Sequence, residues 1–209
     1  MKSYGQFCGL ARGLDVIGDR WTLLIVRELL VGPRRYSELV EGLPGIATNL
    51  LADRLRSLEE QGVVARDAEG PYQLTDWGQG LSEPVRAIAR WAAPLMTSPI
   101  GEATFRSAWL ALPVAVVFDG VDPDRPRATI EVRSGNAPVT IESRNGRVWM
   151  ECRPAVAPDL VVSGPPEAIV EILMGAFDES SAAERGVSVQ GDLAQLDRLR
   201  TPPSTVAGE

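Results

Sequence analysis

Residues 43–64 read LPGIATNLLADRLRSLEEQGVV. A Pro-Gly turn leads into a helix that stops at Gln61-Gly62, where glycine supplies the left-handed backbone that commonly follows a helix. Ala47, Leu51, Leu55 and Leu58 recur at helical spacing and form one apolar stripe, which asks for a core to pack on. The opposite side carries Thr48, Asn49, Ala52, Asp53 and Arg56, with Arg54 on a flank. With the stripe committed to a core, this polar face is left to solvent or to a partner.

The flanking segments fit that reading. GDRWTLLIVRELLVGP (18–33) predicts a helix with Asp19 as N-cap and Gly32-Pro33 as its stop. YSELVEGL (36–43) predicts a short helix capped by Ser37. After Gly62, VVARD and YQLT read as two short strands joined by AEGP. Helix, short helix, turn, amphipathic helix and ribbon is the order of a helix-turn-helix followed by a wing. TDWGQGLSEPVRAIARWAAPLM (75–96) predicts a further helix, capped by Thr75 and kinked at Pro84. Its stripe of Leu81, Val85, Ile88, Ala92 and Leu95 is too long for a small winged domain to cover. A partner helix in a dimer is the expected cover; the chain's own second half is the alternative.

Composition narrows the function. The chain has 209 residues, 44% hydrophobic and 23% charged, the balance of an ordinary globular protein. It has no histidine, which removes Ser-His-Asp and Cys-His catalysis and most zinc sites. Cys8 and Cys152 are far apart without metal-ligand spacing, so no metal, cofactor or disulfide framework is expected. No phosphate loop, dinucleotide fingerprint or nucleophile elbow is present, and the expectation is a protein that is not an enzyme. The start lacks the apolar core of a signal peptide and no run approaches the ~18 apolar residues of a membrane span, so a cytoplasmic protein without a membrane partner is expected. The net charge is −7, unevenly spread. Residues 1–96 hold 11 basic and 12 acidic side chains, a balance of −1, and residues 97–209 hold 10 and 16, a balance of −6. A near-neutral first half can still present a local basic face to a polyanion.

The segment from CGLARGLD through GDRWTLLI, RYSEL, LPGI and LADRLRSLEEQGVVAR to YQLTDWGQGL, over about residues 8–92, resembles the HxlR-type (DUF24) winged helix-turn-helix transcriptional regulators of bacteria. The resemblance implies a homodimer on a palindromic operator of double-stranded DNA, with each recognition helix in a major groove. Thr48 and Asn49 are then the base readers; Arg34, Arg35, Arg54, Arg56 and Arg66 are the phosphate candidates. Ala47 stands where the family commonly has a hydroxyl cap, Asn49 where a Lys is frequent, and Asp53 puts a negative charge on the DNA face, unfavourable near phosphate unless it bonds a cytosine amino group or pairs with Arg56. The wing tip, DAEGP, has no cation, and modest, salt-sensitive affinity is expected. Cys8 matches a cysteine that senses oxidants or electrophiles in some members, with Arg12 placed to lower its pKa. The alternative role for Cys8 is a small apolar residue at a dimer interface.

TSPIGEA (97–103) reads as a linker, residues 104–200 as a second domain, and 201–209 as a disordered tail. TFRSAWLALPVAVVFDG is apolar and reads as helix or buried strand. RATIEVR, APVTIES, GRVWMEC and PDLVVSG read as strands, with hairpin chemistry at Ser134-Gly135-Asn136 and Arg144-Asn145-Gly146. PPEAIVEILMGAF reads as an amphipathic helix with Ile169, Ile172, Leu173 and Phe177 on its apolar face. SVQGDLAQLDRLR closes with a strand and a helix. The order is α+β and resembles the sterol-carrier-protein-2-like (SCP2-like) fold. That resemblance implies helices on an antiparallel sheet enclosing a site for a small apolar or aromatic ligand. Trp109, Trp149, Met150, Leu173, Met174 and Phe177 are the candidate lining. The leading expectation is an effector-responsive regulator. The alternatives are a small-molecule or lipid carrier that uses its winged half only to dimerise, and an enzyme in the second domain.

Overall fold

A computed structural model of the chain describes residues 3–68, 70–97, 100–118, 127–144, 146–175 and 182–199. The chain divides into two compact units, Met1–Ala87 and Ile88–Glu209. The fold is mixed α+β, with a helical first unit and a sheet in the second.

The first unit opens with α1 (Gly9–Ile17), α2 (Thr22–Leu30), α3 (Tyr36–Gly42) and α4 (Thr48–Glu60). Ile25, Val26 and Leu29 of α2, Leu39 of α3, and Leu51, Leu55 and Leu58 of α4 are fully buried, so the predicted α4 stripe is a core face. Each such side chain contributes about 1.5–3 kcal/mol by leaving water. Ala47, assigned to that stripe, is exposed at the N-cap. Gly62 ends α4 at φ 72, its N–H donating to Glu59 O at 3.0 Å and that of Val63 to Leu58 O at 2.9 Å. This pair of bonds satisfies the last carbonyls of the helix.

Two expected caps are corrected. Asp19 does not cap α2, because Trp21 takes the N-cap position in the left-handed region (φ 81) and its carbonyl accepts the first helical bond, from Ile25 N–H at 2.9 Å. A tryptophan there is strained backbone. Ser37 does not cap α3, which begins one residue before it; the N-cap is Arg35, whose N–H donates to Glu38 Oε2 at 2.7 Å.

The ribbon is β1 (Val64–Arg66) and β2 (Tyr72–Leu74), antiparallel, with Arg34 bridged to the outer side of Tyr72. Thr75 caps α5 (Asp76–Gln79) as expected, accepting from Gly78 N–H at 3.0 Å and donating to Gly62 O at 2.6 Å. The single kinked helix expected over 75–96 is instead α5 followed by α6 (Ser82–Ala92). The break falls at Gly80-Leu81, while Pro84 lies in the first turn of α6, where its missing N–H removes no helical bond. Val85 is buried on α6, whereas Ile88 and Trp91 are exposed.

The second unit takes in the end of α6 from Ile88, followed by 3-10 turns at Ala93–Thr97 and Ser107–Leu110 and then α7 (Ala111–Val117). The apolar 104–120 segment is thus helical over α7, with Pro113 tolerated in the first turn. The strands are β3 (Thr129–Ser134), β4 (Ala137–Arg144), β5 (Arg147–Glu151), β6 (Leu160–Ser163) and β7 (Ser188–Gly191), in sheet order β5-β4-β3-β6-β7. Between β6 and β7 lies α8 (Pro166–Met174). Alternate residues Ile130, Val132, Val139, Ile141, Leu160 and Val162 meet Val114, Ile169, Ile172 and Leu173 in one buried cluster. Gly135, at φ 77, makes the two-residue turn between β3 and β4; a Cβ there would fall 2.8 Å from the Phe105 ring.

The expected antiparallel sheet holds at three of the four pairings, but β3 and β6 run parallel. After β5 the chain must return along the sheet before it enters β6, and residues 152–159 make that return. Thr140 Oγ1 donates to Arg153 O at 2.8 Å, and Ala155 N–H donates to Glu131 Oε2 at 2.7 Å. Glu131 is 3% exposed and also accepts from Arg133 Nε at 2.5 Å. Burial alone would raise its pKa; the Ala155 N–H and the Arg133 guanidinium outweigh it and hold the carboxyl below its usual value.

Candidate nucleic-acid interface

Burying Leu51, Leu55 and Leu58 leaves the other side of α4 to solvent. Thr48 and Asn49 are exposed in its first turn, and Asp53 and Arg56 are exposed one and two turns on. Ala47 makes no side-chain cap bond. The Tyr36 hydroxyl, at the start of α3, donates to Thr48 O at 2.6 Å.

The cations sort into four settings. Arg35 is exposed, and Arg34 is half-buried with Nη1 3.7 Å from Glu38 Oε1. Arg56 Nη1 lies 3.0 Å from Asp53 Oδ1, so the acidic group on this face is paired by its neighbour. Arg66, on β1, places its guanidinium 4.9 Å from the centre of the Tyr72 ring, with Nη1 donating to the hydroxyl at 3.0 Å. Cation–π contact and hydrogen bond together orient Arg66 on the ribbon. Arg54, expected at phosphates, places Nη1 2.6 Å from Asp19 Oδ2 in the α1–α2 turn, and its Nε is buried without a partner. Its charge is engaged within the fold.

Cys8 is the N-cap of α1 and is exposed. The backbone N–H groups of Ala11 and Leu10 lower its pKa. The first-turn amides of the helix therefore stabilise the thiolate, not Arg12 as the sequence suggested.

Of the six candidate pocket residues, the five that are described do not share one lining. Trp149 and Met150 are neighbours on β5 and face opposite sides of the sheet, Met150 inward against the core and Trp149 outward. Leu173 is within the core, Met174 is exposed, and Trp109 is half-buried in the 107–110 turn. Phe177 lies outside the described residues. The first unit has an open groove of about 620 Å³, bordered by Arg12, Val16, Ile17, Val63, Trp77 and Leu81, that sequence reading did not find. It joins segments distant in sequence, and no local pattern announces it. Among the described residues, no group of three or more Cys, Asp or Glu side chains could hold a metal ion, and no helix is long and apolar enough to cross a membrane.

The HxlR-like helix-turn-helix family profile matches residues 16–98. YvaP, an uncharacterized HTH-type transcriptional regulator of Bacillus subtilis (strain 168), is 40% identical over 87 residues, 39% of this chain and 81% of YvaP. The chain belongs to the HxlR-like helix-turn-helix family. A second relative is the HTH-type transcriptional regulator YodB of Bacillus subtilis (strain 168), 36% identical over 84 residues, 37% of this chain and 75% of YodB. A quinone-bound crystal structure of YodB overlaps 42% of this chain and 99% of its own, at 32% identity and a TM-score of 0.39. The HxlR-like match covers α2 through α6 and ends before β3.

Proposed function

We propose that the protein is a DNA-binding transcriptional regulator that acts as a homodimer on a palindromic operator. The observation that carries this reading is the division of α4: Leu51, Leu55 and Leu58 are buried, while Thr48 and Asn49 stand exposed in an uncapped first turn. Asn49 can pair bidentately with adenine, and Thr48 can bond a base or pack on a thymine methyl. Arg34, Arg35, Arg56 and Arg66 serve the phosphates on either side, and Arg54 is left out of that set. The HTH-type regulators among its relatives support the same role. Ile88 and Trp91, 47% and 78% exposed on α6, form the face offered to a second copy.

The second unit, in this reading, is an SCP2-like domain that takes a small apolar or aromatic effector. Support comes from the five-stranded sheet whose buried alternate residues pack with α7 and α8. An effector acts only if it binds the two operator-affinity states unequally.

The test is selection of a duplex from a random-sequence library, followed by gel shift against a scrambled duplex of equal composition. Asn49→Ala is expected to weaken the selected site by roughly 5- to 150-fold, the range of one bidentate base contact. No enriched sequence at low salt would overturn the regulator reading. Light scattering tests the dimer, with Trp91→Glu expected to give monomer. Native mass spectrometry of the purified protein tests the effector through a co-purifying adduct.

A further inference from the structure

Base reading demands that the first turn of α4 be held to a fraction of an ångström, yet this turn starts at Ala47, which makes no side-chain cap bond. The end of a helix frays unless something outside it holds it. Here the Tyr36 hydroxyl reaches across from α3 and donates to the carbonyl of Thr48, the first residue of α4, at 2.6 Å. Tyr36 is itself anchored. Two residues before it, Arg34 N–H donates to Tyr72 O at 2.9 Å and Tyr72 N–H donates to Arg34 O at 2.7 Å. Tyr72 belongs to the ribbon and carries Arg66 on its ring and hydroxyl. The ribbon, the Arg34-Arg35 segment and the base-reading turn are therefore joined in series, and the Tyr36–Thr48 bond is the link between the last two.

We infer that Tyr36 is a positioning residue for DNA specificity: its hydroxyl fixes Thr48 and Asn49 relative to the wing, so that base reading and phosphate contact occur in one register. This inference rests on the assignment of α4 as the reading helix. The hydroxyl is neutral and adds no phosphate charge, so its removal leaves non-specific binding and the salt dependence unchanged. The ring is kept in Tyr36→Phe, so packing around α3 is preserved.

The experiment measures Tyr36→Phe and the wild type on the duplex selected by the wild type and on its scrambled counterpart, across a salt series, with thermal unfolding alongside. Expected are an affinity for the selected duplex lowered about tenfold, part of the worth of one bidentate base contact, and unchanged scrambled-duplex affinity, salt slope and Tm. Unchanged affinity for both duplexes would overturn the inference. So would a parallel fall in both affinities together with Tm, which marks a merely structural hydroxyl. Failure of the wild type to enrich any sequence is a different result, and it overturns the regulator reading itself.

Discussion

Arg54 on α4 and Asp19 in the α1–α2 turn meet at 2.6 Å, tying the proposed reading helix to a turn whose next-but-one residue, Trp21, is in the left-handed region. The side chains are 27% and 47% exposed, so solvent screens the pair. Asp19→Ala is therefore expected to cost less than about 1 kcal/mol in urea unfolding. A loss above roughly 2 kcal/mol would mean the pair acts as a desolvated one.

Gly62 offers a sharper stability test. At φ 72 it takes a conformation that costs a residue with a Cβ about 1–2 kcal/mol. Gly62→Ala is expected to lower the unfolding free energy by that amount, seen as a lower urea midpoint at constant m-value. A neutral or stabilising result would contradict the left-handed helix stop.

Glu131 predicts a pH dependence. Its folded pKa lies below the ordinary value of 4.5, so its ionised form stabilises the fold. That contribution is fully present above the ordinary value and fades as pH falls through the lowered folded one. Glu131→Gln is expected to destabilise the protein by about 1–3 kcal/mol at pH 7, as the buried network loses one of its two acceptor oxygens and the charge. The deficit should shrink in acid. A deficit that is flat down to pH 3 would show that the carboxylate charge is not the cause.

Cys8 predicts a reactivity difference. The Cys8 thiol is exposed, and the amides of Ala11 and Leu10 lower its pKa. At pH 7, iodoacetamide labelling followed by mass spectrometry is expected to modify Cys8 faster than the thiol of an unstructured peptide of the same local sequence. Equal rates would remove the helix-terminus effect.

Local patterns made much of this fold legible. The α4 stripe, the Gly62 stop, the Thr75 cap and the strands β3 to β6 each follow from spacing or turn chemistry within a few residues. What stayed hidden depends on distant partners. Asp19 has the composition of a cap, but the backbone at Trp21 closes the first helical bond and leaves that carboxylate to Arg54. Trp149 and Met150 looked alike as lining residues until the pleat placed them on opposite faces. The Tyr36–Thr48 bond spans 12 residues and has no sequence signature, since tyrosine in a short helix usually reads as packing.

The return segment 152–159 also has a kinetic consequence. The β3–β4–β5 meander closes through short turns, whereas β6 reaches β3 only after the whole meander and its return have been laid down; Thr129 N–H meets Asp159 Oδ2 30 positions along the chain. Closing longer loops is slower, so the sheet is expected to grow outward from the meander, with β6 and β7 arriving last. Pulse-labelled hydrogen exchange during refolding would then protect the amides of Val139 and Ile141 before those of Val161 and Val162.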